Sequence, residues 1–139
     1  MLIAGSCHCG NIRFALAWAP DPLDIPARAC TCTFCSKHGG VWTSYPAGSL
    51  KVTIQDPAHA SRYAFGTETA DFHVCSRCGV VPLATCVMDG STYAVVNVNT
   101  FENVPLSLLQ RSSSTVDSES THDRLARRKR SWIADVQFV

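Results

Sequence analysis

Eight cysteines constrain this chain more than anything else in it, and they are grouped rather than scattered. Three fall within six residues, Cys30-Thr31-Cys32-Thr33-Phe34-Cys35. Two pairs stand apart, Cys7-His8-Cys9 and Cys75-Ser76-Arg77-Cys78. Thiolates this close together suit zinc, whose bonds to sulfur are about 2.3 Å long. Structural zinc is closed by four protein ligands, whereas catalytic zinc keeps a position open. The two pairs form a complete set of four, and the triplet supplies three. The expectation is two zinc ions. One is closed by Cys7, Cys9, Cys75 and Cys78; the other is held by Cys30, Cys32 and Cys35, with a position left for water or substrate. The competing reading makes the triplet a second structural site, closed by Cys86 or His38. Cys86 lies in the apolar run Leu83 to Met88 and reads as a small buried hydrophobe.

The alternative use of eight cysteines is a disulfide framework in a secreted domain. Neighbours one or two residues apart are poor disulfide partners and good chelators. The first six residues, Met1 to Ser6, lack the basic start and length of a signal peptide. A reducing cytoplasm is therefore the expected setting. No run reaches the ~18 apolar residues of a membrane span. A net charge of +1 predicts no general attraction to nucleic acid or membrane surfaces. With 139 residues and 46% hydrophobic content, the chain fits one domain, residues 1–139, with a modest core that metal cross-links would help.

Most of the chain reads as short strands with turns between them. Ile12, Phe14, Leu16 and Trp18 alternate with smaller or polar residues, which predicts a strand with one buried face. The preceding Cys7 and Cys9 are expected in extended backbone, where side chains two apart share a side. Residues 19–26 hold three prolines and read as a loop, as do 36–40 after the triplet. Strands are expected at 41–45, 50–54, 61–65 and 71–74, then at 80–88 and 92–98 around an Asp89-Gly90 hairpin turn. Cys75-Ser76-Arg77-Cys78-Gly79 has the form of a zinc knuckle. Residues 111–121 are mostly Ser and Thr and are expected to form a mobile loop. Asp123 is expected to cap a short helix from Arg124, with Leu125, Trp132 and Ile133 on one docking face. Val136 and Phe138 suggest a last strand.

These cysteine motifs have a known counterpart. Gly5-Ser6-Cys7-His8-Cys9-Gly10-Asn11-Ile12-Arg13-Phe14, then Cys30-Thr31-Cys32-Thr33-Phe34-Cys35, then Cys75-Ser76-Arg77-Cys78-Gly79, resembles the glutathione-dependent formaldehyde-activating enzyme family, which includes centromere protein V. The resemblance covers about residues 3–100, and Trp132-Ile133 is similar to the family's closing segment. It implies a mainly β fold of several small coiled antiparallel sheets around zinc, shared with methionine sulfoxide reductase B and a Rab exchange chaperone. It also implies a carbon–sulfur lyase that joins formaldehyde to glutathione as S-hydroxymethylglutathione. In the family the outer pairs hold structural zinc and the central triplet the catalytic zinc. That matches the assignment from ligand counting.

The implied partners are a small thiol such as glutathione and a small aldehyde. His38, three residues past the triplet, is the candidate proton donor because histidine titrates near neutral pH. Lys37, Arg62 and Arg77 have the right charge for the carboxylates of such a thiol. Arg124, Arg127, Arg128, Lys129 and Arg130 form a basic run that reads as a solvated helix face. The alternative to an enzyme is a zinc-stabilised module that recruits another protein. A fourth protein ligand at the triplet would favour it.

Overall fold

The computed structural model describes residues 1–116 and 118–139. Eleven strands and two α-helices are arranged in two sheets. The first sheet has four strands: β1 (Leu2–Ser6), β2 (Ile12–Ala17), β5 (Ser49–Ile54) and β11 (Asp135–Phe138). The second runs in the order β10 (Leu109–Ser114), β3 (Ile25–Cys30), β4 (Val41–Thr43), β9 (Ser91–Asn97), β8 (Leu83–Met88), β7 (Asp71–Cys75) and β6 (Ala60–Tyr63). Helix α1 spans Thr33–His38 and α2 spans Thr121–Ser131. Pairing is antiparallel except where β10 meets β3 and β11 meets β5.

The period-two pattern does what it predicts. Along β2, Ile12, Phe14 and Leu16 are buried while Arg13 and Ala17 face solvent. They meet Ile3, Leu50 and Val52 of their own sheet, and Ile25, Leu83, Ala94 and Val96 of the other, in one apolar cluster. Ile133 joins this core, and its backbone exchanges two hydrogen bonds with Ala94 at 2.9 and 3.0 Å. Both residues of the Asp89-Gly90 turn have positive φ, 52° and 77°. Two-residue hairpins demand that conformation, because it matches the twist of the flanking strands.

Several local expectations need correction, among them the loop expected at 36–40, whose first three residues lie in α1. The Cys7–Cys9 segment is a turn, not extended backbone: the Gly10 N–H donates to the Cys7 carbonyl at 3.0 Å. The proline-bearing stretch ends in strand β3, since Ile25 and Ala27 supply buried side chains and Pro26 is only half-buried. The Ser/Thr-rich stretch is not a loop from residue 111, because β10 runs to Ser114 in parallel register with Cys30. An edge strand needs backbone partners rather than an apolar face, so a polar sequence can supply one. Of the rest of that stretch, Asp117 lies outside the described residues. Helix α2 begins earlier than expected, because the Ser120 hydroxyl caps it by accepting from the Asp123 N–H at 3.1 Å. Asp123 instead sits in the first turn, where its charge complements the helix dipole. Trp132 is the C-cap, so the predicted Leu125/Trp132/Ile133 face is not a helical face.

Candidate metal centres and substrate cavity

Two turns bring the outer cysteines together. After β1 the chain turns through Cys7 and Cys9 before entering β2. After β7 it turns through Cys75 to Cys78, with the Gly79 N–H donating to the Cys75 carbonyl at 2.7 Å. Gly79 has φ +81°, a conformation that a side chain would strain. The four sulfurs lie within 4.8 Å of one another. Sγ of Cys9 is 3.8 Å from that of Cys7 and 3.5 Å from that of Cys75. A tetrahedron with bonds of about 2.3 Å has sulfur–sulfur edges of about 3.8 Å, so the set fits zinc. Cys7 and Cys75 are buried, Cys78 half-buried and Cys9 exposed.

Backbone amides prepare some of these thiols. The Ile12 N–H donates to the Cys7 sulfur at 3.2 Å. Burial nevertheless pushes Cys7 up to about 11. Burial opposes ionisation at Cys78 too, but the amides of Cys9 and Val80 aim at its sulfur and hold it down to about 6.

The triplet is built differently. Cys30 ends β3, Cys32 caps α1, and Cys35 lies in the middle of that helix. The Cys32 sulfur accepts from the Cys35 N–H at 3.3 Å. The Trp42 indole N–H donates to the Cys35 sulfur at 3.3 Å. Thr31 ties the segment to β10, its N–H donating to the Ser114 carbonyl at 3.0 Å. All three sulfurs lie within 4.8 Å of one another, which also fits a metal. Cys30 beside it, and then burial, push Cys35 far above the ordinary thiol range. Neither Cys86 nor His38 completes this set among the described residues. Cys86 is buried in β8 and accepts a long hydrogen bond, 3.6 Å, from Arg128. All eight cysteines are free of disulfides.

The three sulfurs open onto a cavity of about 640 Å³. Trp42, Phe65, Phe72 and Trp132 supply apolar wall. Arg28, Arg124, Arg127, Arg128 and Glu119 supply charge. A volume of a few hundred Å³ with apolar walls and a few polar groups is that of a small-molecule site. Of the four outer cysteines, Cys9 lines a smaller, polar hollow beside His8, Arg13 and Glu102.

Several sequence expectations fail here. The basic run is a solvated face only in part: Lys129 and Arg130 are exposed, but Arg124, Arg127 and Arg128 line the cavity and Arg128 is only 6% exposed. Arg62 is paired with Asp71 and Arg77 with Asp56, and neither lines the cavity; nor does Lys37. His38 is the last residue of α1, with its ring 4.3 Å from that of Phe34 and 6.2 Å from that of Trp42. Burial favours its neutral form, and its Nε2 is buried without a partner. It does not line the cavity. Arg124, Arg127, Arg128 and Ser131 have the i, i+3, i+4, i+7 spacing of one helix face, but in charged residues that spacing does not say that the face turns inward. The same spacing in apolar residues is read as a buried face.

Among the described residues, no helix is long and apolar enough to cross a membrane. Comparison with known proteins agrees with the cysteine geometry. A curated protein of Halomonas elongata, named "Putative glutathione-dependent formaldehyde-activating enzyme", is 33% identical over 85 residues. That match takes in 56% of this chain and 52% of the relative, so the chain spans about half the relative's length. A crystal structure of a Rhodobacter sphaeroides protein superposes with a TM-score of 0.61 at 26% identity, covering 80% of this chain and 99% of that one. The family model described as glutathione-dependent formaldehyde-activating enzyme matches residues 2–117, and the chain belongs to that family.

Proposed function

We propose that this protein is a zinc-dependent carbon–sulfur lyase, which joins a small thiol to a small aldehyde or separates them. The observation that carries the reading is the contrast in access. Cys30, Cys32 and Cys35 form an incomplete metal set at the wall of a 640 Å³ cavity. Cys7, Cys9, Cys75 and Cys78 form a complete set. The second set is assigned a structural zinc and the first a catalytic one.

In the forward direction the sulfur of the substrate thiol attacks the carbonyl carbon. A carbon–sulfur bond forms, the carbonyl π pair moves to oxygen, and the thiol's proton ends on that oxygen. Glutathione and formaldehyde would give S-hydroxymethylglutathione. Zinc held by the triplet would lower the pKa of an incoming thiol and so supply its thiolate. The protein's own groups do the rest. Trp42 fixes Cys35 through its indole N–H, and Cys32 is fixed by the Cys35 amide. Phe65, Phe72 and Trp132 give the cavity apolar wall. Guanidinium groups in the wall can stabilise charge developing on the carbonyl oxygen. His38 touches Phe34 and Trp42 rather than the cavity, which suits a positioning role better than direct proton donation. Eight cysteines without a disulfide among them favour a reducing cytoplasm.

The test uses zinc-loaded protein with glutathione and carbon-13 formaldehyde, observed by exchange NMR. Wild type is expected to speed interconversion of free formaldehyde and adduct, and Cys32→Ser to remove that acceleration. If protein carrying two zinc ions leaves the exchange at its spontaneous rate, the enzyme reading gives way to the protein-recruiting module.

A further inference from the structure

Among its described residues the cavity holds more positive charge than negative. Four guanidinium groups line it, from Arg28, Arg124, Arg127 and Arg128. Among the described lining residues Glu119 is the one carboxylate. Glu119 is engaged by Arg127, whose Nε and Nη2 both donate to it at 2.9 to 3.2 Å. The other three have no ion pair among the described residues. Arg28 donates to the Ser44 hydroxyl at 3.3 Å, Arg124 to the Val116 carbonyl at 2.8 Å and Arg128 to the Thr69 hydroxyl at 2.8 Å. All of those partners are neutral. Nε of Arg124 and Nε of Arg128 are buried with no hydrogen-bond partner. Arg128 is 94% buried, its guanidinium stacked 4.9 Å from the Trp132 ring. A buried cation without a counter-ion is costly, so Arg128, with the half-buried Arg28 and Arg124 beside it in the same wall, calls for an anion from outside.

The metal accounts for only part of this excess. Three thiolates around a divalent ion leave one net negative charge. Glu119 supplies another. Two guanidinium charges remain. Arginine's planar fork matches carboxylate and phosphate oxygens two at a time, which a single lysine ammonium cannot do. Three of the four arginines lie on α2, beyond residue 117, where the family match ends.

Building on the thiol–aldehyde reading, we propose that the guanidinium wall of Arg28, Arg124, Arg127 and Arg128 binds two acid groups of the substrate, so that the cavity selects small dianionic thiols. Glu119 acts as an internal competitor: it occupies Arg127 until a substrate carboxylate arrives. Substitutions on the two sides of that pair should therefore act in opposite directions.

The experiment follows the fluorescence of Trp42 and Trp132 in zinc-loaded protein during three titrations. The probes are mercaptosuccinate, which has a thiol and two carboxylates, its S-methyl ether, which has no free thiol, and 2-mercaptoethanol, which has no acid. Mercaptosuccinate and its ether should both bind, and 2-mercaptoethanol much more weakly. Arg127→Gln should weaken both acids by about tenfold, the worth of one charge-assisted contact, and leave 2-mercaptoethanol unchanged. Glu119→Gln should tighten both acids, a gain that a damaged fold cannot imitate. Equal binding of 2-mercaptoethanol and mercaptosuccinate overturns the acid wall while leaving the thiol reading standing. Binding of the ether with no preference for a free thiol keeps the wall and removes the thiol reading. If Arg127→Gln instead releases zinc from the triplet, the arginines serve the metal site and the proposal fails.

Discussion

The two cysteine clusters use the same ligand atoms for different ends, and the difference lies in what surrounds them. Cys7 and Cys9 follow a strand of the four-stranded sheet, and Cys75 ends a strand of the seven-stranded one. A metal there would tie the two sheets together across a sequence separation of 68 residues, from Cys7 to Cys75. Cys30, Cys32 and Cys35 come from one continuous stretch, so a metal there closes no long loop. Chain-entropy arguments make the first arrangement far more valuable to folding. The second instead faces a cavity with aromatic and guanidinium walls. On the proposed reading, the complete set with its long closed loop holds the fold, and the incomplete set with its short loop and cavity does the chemistry.

The sharpest way to break this comparison is Cys75→Ser. Cys75 is fully buried, and its loss removes a ligand from the site that joins the sheets. Stability should fall by roughly 5 kcal/mol or more, enough to leave the domain largely unfolded at 37 °C. Circular dichroism during heating measures it. A cooperative melt near the wild-type temperature would show that the four-cysteine site does not hold the sheets.

Cys32→Ser is the counterpart at the other cluster, with a smaller effect on stability and a larger one on chemistry. The variant should lose one zinc equivalent by atomic absorption, keep the other, and melt within about 5 °C of wild type, as expected for a loss of 1–2 kcal/mol in a domain of this size. Loss of both metals, or an unfolded chain, would make the triplet a structural site as well. Cys32 also caps α1 through its sulfur, so oxygen in its place preserves the cap and isolates the metal effect.

How far the sequence revealed these two sites follows from the range of the forces that build them. Ligand spacing is local, so both cysteine sets could be assembled from motif counting. Alternation along β2 and the Asp89-Gly90 turn were equally local and equally readable. Strand β10 was missed because its Ser and Arg side chains carry no apolar pattern; it is held by backbone bonds to β3, a partner about 84 residues away by register. The arginine wall was missed for a related reason. A charged stripe is normally the solvated side of a helix, and only its long-range packing over β8 and the triplet turns it inward. Arg128 donating to Cys86 and stacking on Trp132 is that packing, and no periodicity predicts it.

Trp42→Phe sharpens the comparison on the metal-ordering groups. It deletes the N–H that points at the Cys35 sulfur while keeping an aromatic ring against Phe72, 5.8 Å away. A hydrogen bond to a charged sulfur contributes about 2 kcal/mol, and partners behind metal ligands typically change affinity by on the order of tenfold. The variant should bind zinc more weakly at the triplet and normally at the outer set, as read by competition with a chromogenic chelator. A uniform weakening of both sites would mean that Trp42 acts through general packing.

The smallest expected effect separates α2 from both metals. Ser120 holds the helix start by accepting from the Asp123 N–H. Ser120→Ala removes that acceptor and should cost about 1 kcal/mol, a fall of about 3 °C in melting temperature. The first turn frays before the last, so Arg124 loses its place before Arg128 does. Arg124 also donates to the Val116 carbonyl, just outside the helix, so the connecting segment loosens with it. Zinc content should remain at both equivalents, because no cysteine lies on α2. Binding of mercaptosuccinate should weaken, and binding of 2-mercaptoethanol should not. Loss of zinc in this variant would tie the helix to the metal centres and erase the division of labour between ligand cysteines and guanidinium wall.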